Sequence, residues 1–180
     1  QFWYYINADV NAVTKGFVKI LDNHPLKNVQ LPPGALTVLD PHGLDCVRRA
    51  LLTAEKAVIP CLAKIDAPLL VELELDFTAS PPSGNEYRLQ NLRQLTLTSS
   101  NRRGAGCYKF DTPELATLKL VSLDNEAGFQ LVAVNMPALC NAQPSSLSDT
   151  LAVAVEAPKM SQLRVDSAVE TLCVHAPWLE

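Results

Sequence analysis

Three carboxylates, Glu72, Glu74 and Asp76, alternate along one short apolar run. In an extended strand that spacing puts all three on one face. Such a row has the charge to hold a cation or to work as an acid–base set. It is also the ordinary pattern of a wet sheet face whose inner side carries Leu73 and Leu75, and that plainer reading is preferred. Arg102-Arg103-Gly104-Ala105-Gly106 offers glycines and backbone N–H groups of the kind that cradle an anion, yet it reads better as a solvated loop. The histidines, His24, His42 and His175, are scattered. The first two stand at proline-marked boundaries. His175 follows Val174 in an extended arm with opposite parity, a structural position. No G-x-S-x-G, P-loop or H-E-x-x-H pattern occurs. No catalytic, metal or cofactor set is expected.

Five cysteines stand at 46, 61, 107, 140 and 173, with no C-x-x-C pair. Beside apolar neighbours, as in Leu172-Cys173-Val174, they read as small buried hydrophobes of a reducing compartment. No Asn-x-Ser/Thr site is present. An intracellular protein, cytoplasmic or nuclear, is expected, with an organelle lumen left open. A net charge of -4 gives no basic surface for nucleic acid. No apolar run reaches the roughly 18 residues of a membrane span. With 48% apolar and 19% charged residues the chain folds around a core.

What positions these side chains is a repeat. Pro68-Leu69-Leu70-Val71-Glu72-Leu73-Glu74-Leu75 has the form P-x-L-x-x-L-x-L, and so does Pro113-Glu114-Leu115-Ala116-Thr117-Leu118-Lys119-Leu120. Pro158 to Val165 follows with conservative changes. Leu92, Leu95 and Leu97 match with Gln90 in the proline place. Pro137-Ala138-Leu139 and Pro177-Trp178-Leu179 open further copies. The first leucine place falls at 70, 92, 115, 139, 160 and 179, within the 20–29-residue range of leucine-rich repeats. Before each proline an extended arm alternates. Ile65, Phe110, Val134, Val155 and Val174 stand three residues ahead, and Ala63, Tyr108, Val132, Val153 and Leu172 five ahead. One residue ahead stand Ala67, Thr112, Met136, Ala157 and Ala176. Proline then sets a turn, having a fixed φ and no N–H. One repeat cannot cover its own apolar edge, so neighbours stack.

The first third differs. Val10, Val13, Phe17, Ile20 and Leu21 lie at helical spacing, with Asn7 or Asp9 as cap. Leu26 to Leu31 reads as a strand, and Leu44, Val47, Leu51, Ala54 and Val58 as a second helix. The expected fold is therefore an α/β solenoid, a leucine-rich repeat with one parallel sheet. Helical repeats occupy the N-terminal end, and extended-backed repeats follow after about residue 60. Residues 1–180 form one domain, expected to be part of a longer polypeptide. Leu73, Leu75, Leu95, Leu97, Leu118, Leu120, Leu163 and Val165 are expected to be buried on one side of the sheet. Because Leu179 is followed by no L-x-L strand, continuing chain or a partner is expected to cover the Val174–Leu179 end.

Ala63-Lys64-Ile65-Asp66-Ala67-Pro68-Leu69-Leu70-Val71-Glu72-Leu73-Glu74-Leu75 resembles the repeats of plant-type F-box leucine-rich-repeat proteins. Tyr108-Lys109-Phe110-Asp111-Thr112-Pro113-Glu114-Leu115 is similar, as is Val134 to Ala142. The resemblance covers about residues 60–180. It implies a substrate receptor of a cullin-type ubiquitin ligase, in which F-box helices bind a Skp-type adaptor and the repeats hold the target. The first 60 residues carry no F-box motif.

In such a stack the residues between the leucines point out from the concave sheet. One column reads Glu72, Gln94, Thr117, Asn141 and Gln162. The next reads Glu74, Thr96, Lys119, Gln143 and Arg164. One end is acidic and the other mildly basic. These ten are the candidate protein-binding residues, suited to a partner of complementary charge. The face lacks the aromatic platforms of single-strand nucleic-acid binders. The expected role is substrate recognition for a ubiquitin ligase; the alternative is a structural or scaffold subunit of another large intracellular assembly. An enzyme on a right-handed β-helix would need a ledge of acids and bases and a cleft that the sequence does not announce.

Overall fold

The structure is a computed structural model that describes residues 26–31, 41–62, 64–77, 85–99, 106–122, 128–135 and 151–179. Within them lie eleven strands and one helix. They are β1 (Asn28–Gln30), α1 (Pro41–Leu51), β2 (Lys56–Pro60), β3 (Glu72–Asp76), β4 (Asn85–Arg88), β5 (Gln94–Ser99), β6 (Gly106–Asp111), β7 (Thr117–Ser122), β8 (Phe129–Val134), β9 (Leu151–Glu156), β10 (Gln162–Asp166) and β11 (Val169–Val174). Every strand pair is parallel. A front sheet has the order β1-β2-β3-β5-β7-β10, and a back sheet the order β4-β6-β9-β8-β11.

The P-x-L segments are the corners between the sheets. In each described one the leucine-place amide reaches the carbonyl three residues back: Leu70 to Ala67, Leu92 to Leu89, Leu115 to Thr112, Met160 to Ala157 and Leu179 to Ala176, all at 3.1–3.3 Å. This is a turn with proline, or Gln90, at its second position, where a fixed φ near −65° suits it. The next two amides share one carbonyl of the preceding front strand. Val71 and Glu72 donate to Glu55, Arg93 and Gln94 to Val71, Ala116 and Thr117 to Arg93, and Ser161 and Gln162 to Ala116. The same bond pattern thus fixes where each front strand starts. Leu73, Leu95 and Leu118 consequently stand side by side, as do Leu75, Leu97 and Leu120. All six are buried. Each contributes on the order of 1.5–3 kcal/mol by leaving water.

The back arms place Tyr87, Phe110, Val155 and Val134 in one inward row and Tyr108, Val153 and Val132 in another, all buried. Tyr87 stacks on Phe110 with ring centres 4.8 Å apart, and Phe77 lies against Tyr108 at 4.7 Å and Phe129 at 6.3 Å. Tyr87 donates its hydroxyl to the Leu62 carbonyl at 2.6 Å and lies 3.1 Å from the Cys61 thiol. Either the thiol or the hydroxyl can donate in the second contact. Burial pushes the Cys61 thiol up to about 12, against the opposing Tyr87 hydrogen bond and with a further push from Asp76. Burial likewise raises the Tyr108 phenol, whose hydroxyl has no hydrogen-bond partner among the described residues.

The structure corrects several expectations. There are two parallel sheets, not one, because the arms before the prolines pair with each other as regularly as the L-x-L runs do. The helical repeats expected at the N-terminal end are not seen. Among the described residues there is one helix, α1; the expected helix over Val10–Leu21 lies outside them. α1 buries Val47 and Leu51 and half-buries Leu44. It ends sooner than the periodicity suggests. Leu52, Thr53 and Ala54 turn back onto Arg49, Ala50 and Leu51, and Val58 belongs to β2, where β-branched residues suit a pleated sheet. The stacking order also differs. Thr117 pairs directly with Gln162, and β9 lies between β6 and β8. Finally, Leu163 is only half-buried and Val165 is 38% exposed; β10 is the last front strand among the described residues.

Asparagine 135 holds the reordered back sheet together. Its φ of +53° is a left-handed conformation that asparagine tolerates better than most residues. Its side-chain amide donates to the Ala157 carbonyl at 3.0 Å and the His175 carbonyl at 2.9 Å, while its Oδ1 accepts from the Ala157 amide at 2.6 Å. One side chain therefore ties the ends of β8, β9 and β11. The β8 start is fixed by Gly128, where a Cβ would lie 2.2 Å from the Ala168 carbonyl oxygen.

Candidate functional site

The alternate residues of the front strands form the solvent side of the front sheet. The first column runs Asn28, Lys56, Glu72, Gln94, Thr117 and Gln162. The second runs Gln30, Val58, Glu74, Thr96, Lys119 and Arg164. A third runs Pro60, Asp76, Thr98, Val121 and Asp166, although Pro60 and Thr98 are buried. Eight of the ten candidate residues are thus brought together in the expected columns: Glu72, Gln94, Thr117 and Gln162, and Glu74, Thr96, Lys119 and Arg164. Asn141 and Gln143 lie outside the described residues. The columns have no place for them where they were expected, since Thr117 meets Gln162 and Lys119 meets Arg164 on adjacent strands. Thr117 Oγ1 lies 3.4 Å from Gln162 Oε1.

The sequence columns stopped short in two directions. Asn28, Gln30, Lys56 and Val58 extend the face by two strands, because Lys56–Pro60 is a strand and not the end of a helix. The third column adds Asp76 and Asp166, visible in the sequence as the next alternate residue after each L-x-L.

These additions change the electrostatics. Lys56 Nζ meets Glu72 Oε2 at 2.6 Å. Arg164 Nε meets Asp166 Oδ2 at 2.7 Å, and Lys119 Nζ lies 3.9 Å from the same oxygen. The end expected to be basic therefore carries its own carboxylate. Among the described residues Glu74 makes no ion pair and is exposed. The face is polar and nearly balanced, with an acidic centre of charge at Glu74. All of these ion pairs are half-exposed, so each contributes little to stability, about 0–1 kcal/mol. Their charges remain available to a partner.

No group of three or more His, Cys, Asp or Glu residues among those described is placed to hold a metal. Glu72, Glu74 and Asp76 stand as a row along β3, with Glu72 drawn to Lys56. Cys46 and Cys61 are buried, and Cys107 and Cys173 half-buried. His175 is exposed, its amide bonded to the Val134 carbonyl at 3.0 Å. No helix among the described residues is long and apolar enough to cross a membrane. Comparison with protein-family models, curated proteins and solved structures finds no match to the chain.

Proposed function

We propose that the chain is a protein-binding module rather than an enzyme, a leucine-rich-repeat solenoid whose polar front face docks a partner protein. The observation that carries this is the set of outward columns across β1, β2, β3, β5, β7 and β10, polar but for Val58, Pro60 and Val121, with the leucines turned inward. A rigid sheet face that spends its apolar residues on the core and offers fixed, alternating charge suits recognition by complementarity. The repeat resemblance favours the substrate-recognition part of an F-box-type ubiquitin ligase receptor. The net charge of -4 disfavours nucleic acid as the partner. A structural subunit of another large intracellular assembly is the second reading, favoured by the exposed apolar side chains of Leu172, Trp178 and Leu179.

The test uses two face variants and a core control. Glu74→Lys alters the acidic centre, and Arg164→Gln leaves Asp166 with Lys119 as its remaining ion-pair partner among the described residues. The partner is taken from a crosslinked native complex and its binding measured at two salt concentrations. Each variant is expected to slow association and change its salt dependence while the melting curve stays in place. If both bind as the parent does, the front face is not the docking surface.

A further inference from the structure

The charges of the front face stand in an order that the strand register fixes. Lys119 and Arg164 are direct partners on β7 and β10. Two cations side by side on neighbouring strands repel. Asp166 answers both: its Oδ2 lies 2.7 Å from Arg164 Nε and 3.9 Å from Lys119 Nζ. Among the described residues the two cations thus share one carboxylate, and one positive charge is left over. The arginine also carries more N–H donors than a single carboxylate can fill. The group is open to solvent: the side chains of Arg164, Lys119 and Asp166 are 69%, 38% and 39% exposed. The opposite charge stands on β3. Glu72 is drawn to Lys56. Glu74, in the same column as Lys119 and Arg164, is exposed and makes no ion pair among the described residues. Lys119 lies two strands from Glu74 and Arg164 three. At about 4.8 Å per strand, those distances are about 10 and 14 Å.

We infer that the front face recognises an extended segment of its partner protein that crosses the strands and carries a cation and a carboxylate four residues apart. The cation sits on Glu74 and the carboxylate between Lys119 and Arg164. This rests on the front-face reading above and names the chemistry of the partner. In an extended chain alternate residues face one way, and positions i and i+4 lie about 14 Å apart, the span from Glu74 to Arg164. The residue between them falls past Thr96, where a small polar side chain fits. The single excess positive charge selects a carboxylate. A phosphate group, with a charge of about −1.5 to −2, would exceed it and meet Asp166. A segment with two like charges would set one of them against its own kind, which the face rejects as well as fails to bind.

The probe is a capped peptide of threonine and serine with lysine at its third position and glutamate at its seventh. A second probe has the two exchanged, since either direction of crossing satisfies the geometry. The control has the same composition with lysine and glutamate adjacent. Amide NMR signals of the 180-residue chain are followed during titration at low salt, where charges reach furthest. One of the two spaced peptides is expected to shift residues 74, 119 and 164 and to bind at least threefold tighter than the control. That preference is expected to vanish in Glu74→Gln and in Lys119→Gln with Arg164→Gln. These side chains are exposed or half-exposed, so both variants are expected to melt as the parent does. No shift of those residues by either spaced peptide, equal binding of the spaced and adjacent forms, or a preference that survives either variant overturns the inference. The front-face reading falls on a different result, a native partner that binds Glu74→Lys and Arg164→Gln as it binds the parent.

Discussion

The front sheet follows chain order from β1 to β10, whereas the back sheet places β9 ahead of β8. The same chain builds both, with the same parallel pairing, so the difference lies in what specifies a neighbour. In front, β3, β5, β7 and β10 are each launched by a corner whose next two amides must find one carbonyl at the start of the strand before, and in β3, β5 and β7 leucines alternate with Glu, Gln, Thr or Lys. A slip by one residue would turn every leucine to water. Behind, Leu131-Val132-Ala133-Val134 and Leu151-Ala152-Val153-Ala154-Val155 are apolar at both parities. Such arms pack against either neighbour, and order is decided by single devices: Asn135 at one end of β8 and Gly128 at the other.

A large effect is expected at the front. Leu118→Ala removes a fully buried side chain between the buried Leu95 and the half-buried Leu163 and is expected to cost roughly 2–5 kcal/mol through the cavity left behind. Leu163→Ala at the half-buried end strand should cost less than half as much. Chemical denaturation of the two variants measures the ratio; equal losses would mean that β10 is covered as β7 is.

The back sheet is tested by Asn135→Ala, which gives up three hydrogen bonds and the tolerance for positive φ. A loss of about 2.5–5.5 kcal/mol is expected, since each of the three bonds carries about 0.5–1.5 kcal/mol net and the conformation adds of order 1 kcal/mol. Asn135→Gly should recover the backbone part alone. An unchanged melting curve for the alanine variant would remove the clamp, and with it the placing of β8 between β9 and β11.

Alkaline stability sharpens the contact between the sheets at Cys61 and Tyr87. The fold raises the thiol to about 12 from about 9, so it favours the neutral form. Its stabilisation is complete below pH 9 and is lost as pH rises through 12, by up to about 1.4 kcal/mol per pH unit. The raised Tyr108 phenol acts in the same direction at higher pH. Denaturation between pH 8 and 11 is expected to show this decline, and Cys61→Ala should flatten its lower part. An equal slope in the variant would place the titration elsewhere.

The smallest effect belongs to the front face: Glu74→Lys should change stability by no more than about 0.5 kcal/mol, as thermal melts will show, since Glu74 is exposed and makes no ion pair among the described residues.

How much of this was legible follows the same contrast. The front strands, their shared register and eight face residues were readable because period-2 alternation and proline corners recur together. The corner bonds make that recurrence physical. Asp166 was missed because the columns ended at the second alternate residue, and Lys56 because Val58 also fits a helical period after Leu51 and Ala54. The second sheet was half-legible: the arms were recognised as extended, but nothing in their composition says that they pair with each other. Their order was not legible at all. Spacing alone puts the 139 repeat between 115 and 160, whereas the neighbours of β8 are set by three-dimensional bonds from Asn135. An asparagine where the other arms carry Asp66, Asp111, Glu156 and His175 was the available signal.

The most direct measurement is the pair Thr117→Cys with Gln162→Cys. Adjacent parallel strands lie about 4.8 Å apart, within the Cα range of a disulfide. With an intervening strand, as chain order would give, the separation would be about twice that and beyond reach. Under mild oxidation, mass spectrometry of the digested chain is expected to find residues 117 and 162 joined, in a protein that still melts cooperatively. Two free or separately blocked thiols at these positions would contradict the direct pairing of β7 with β10, and with it the arrangement of the proposed binding face.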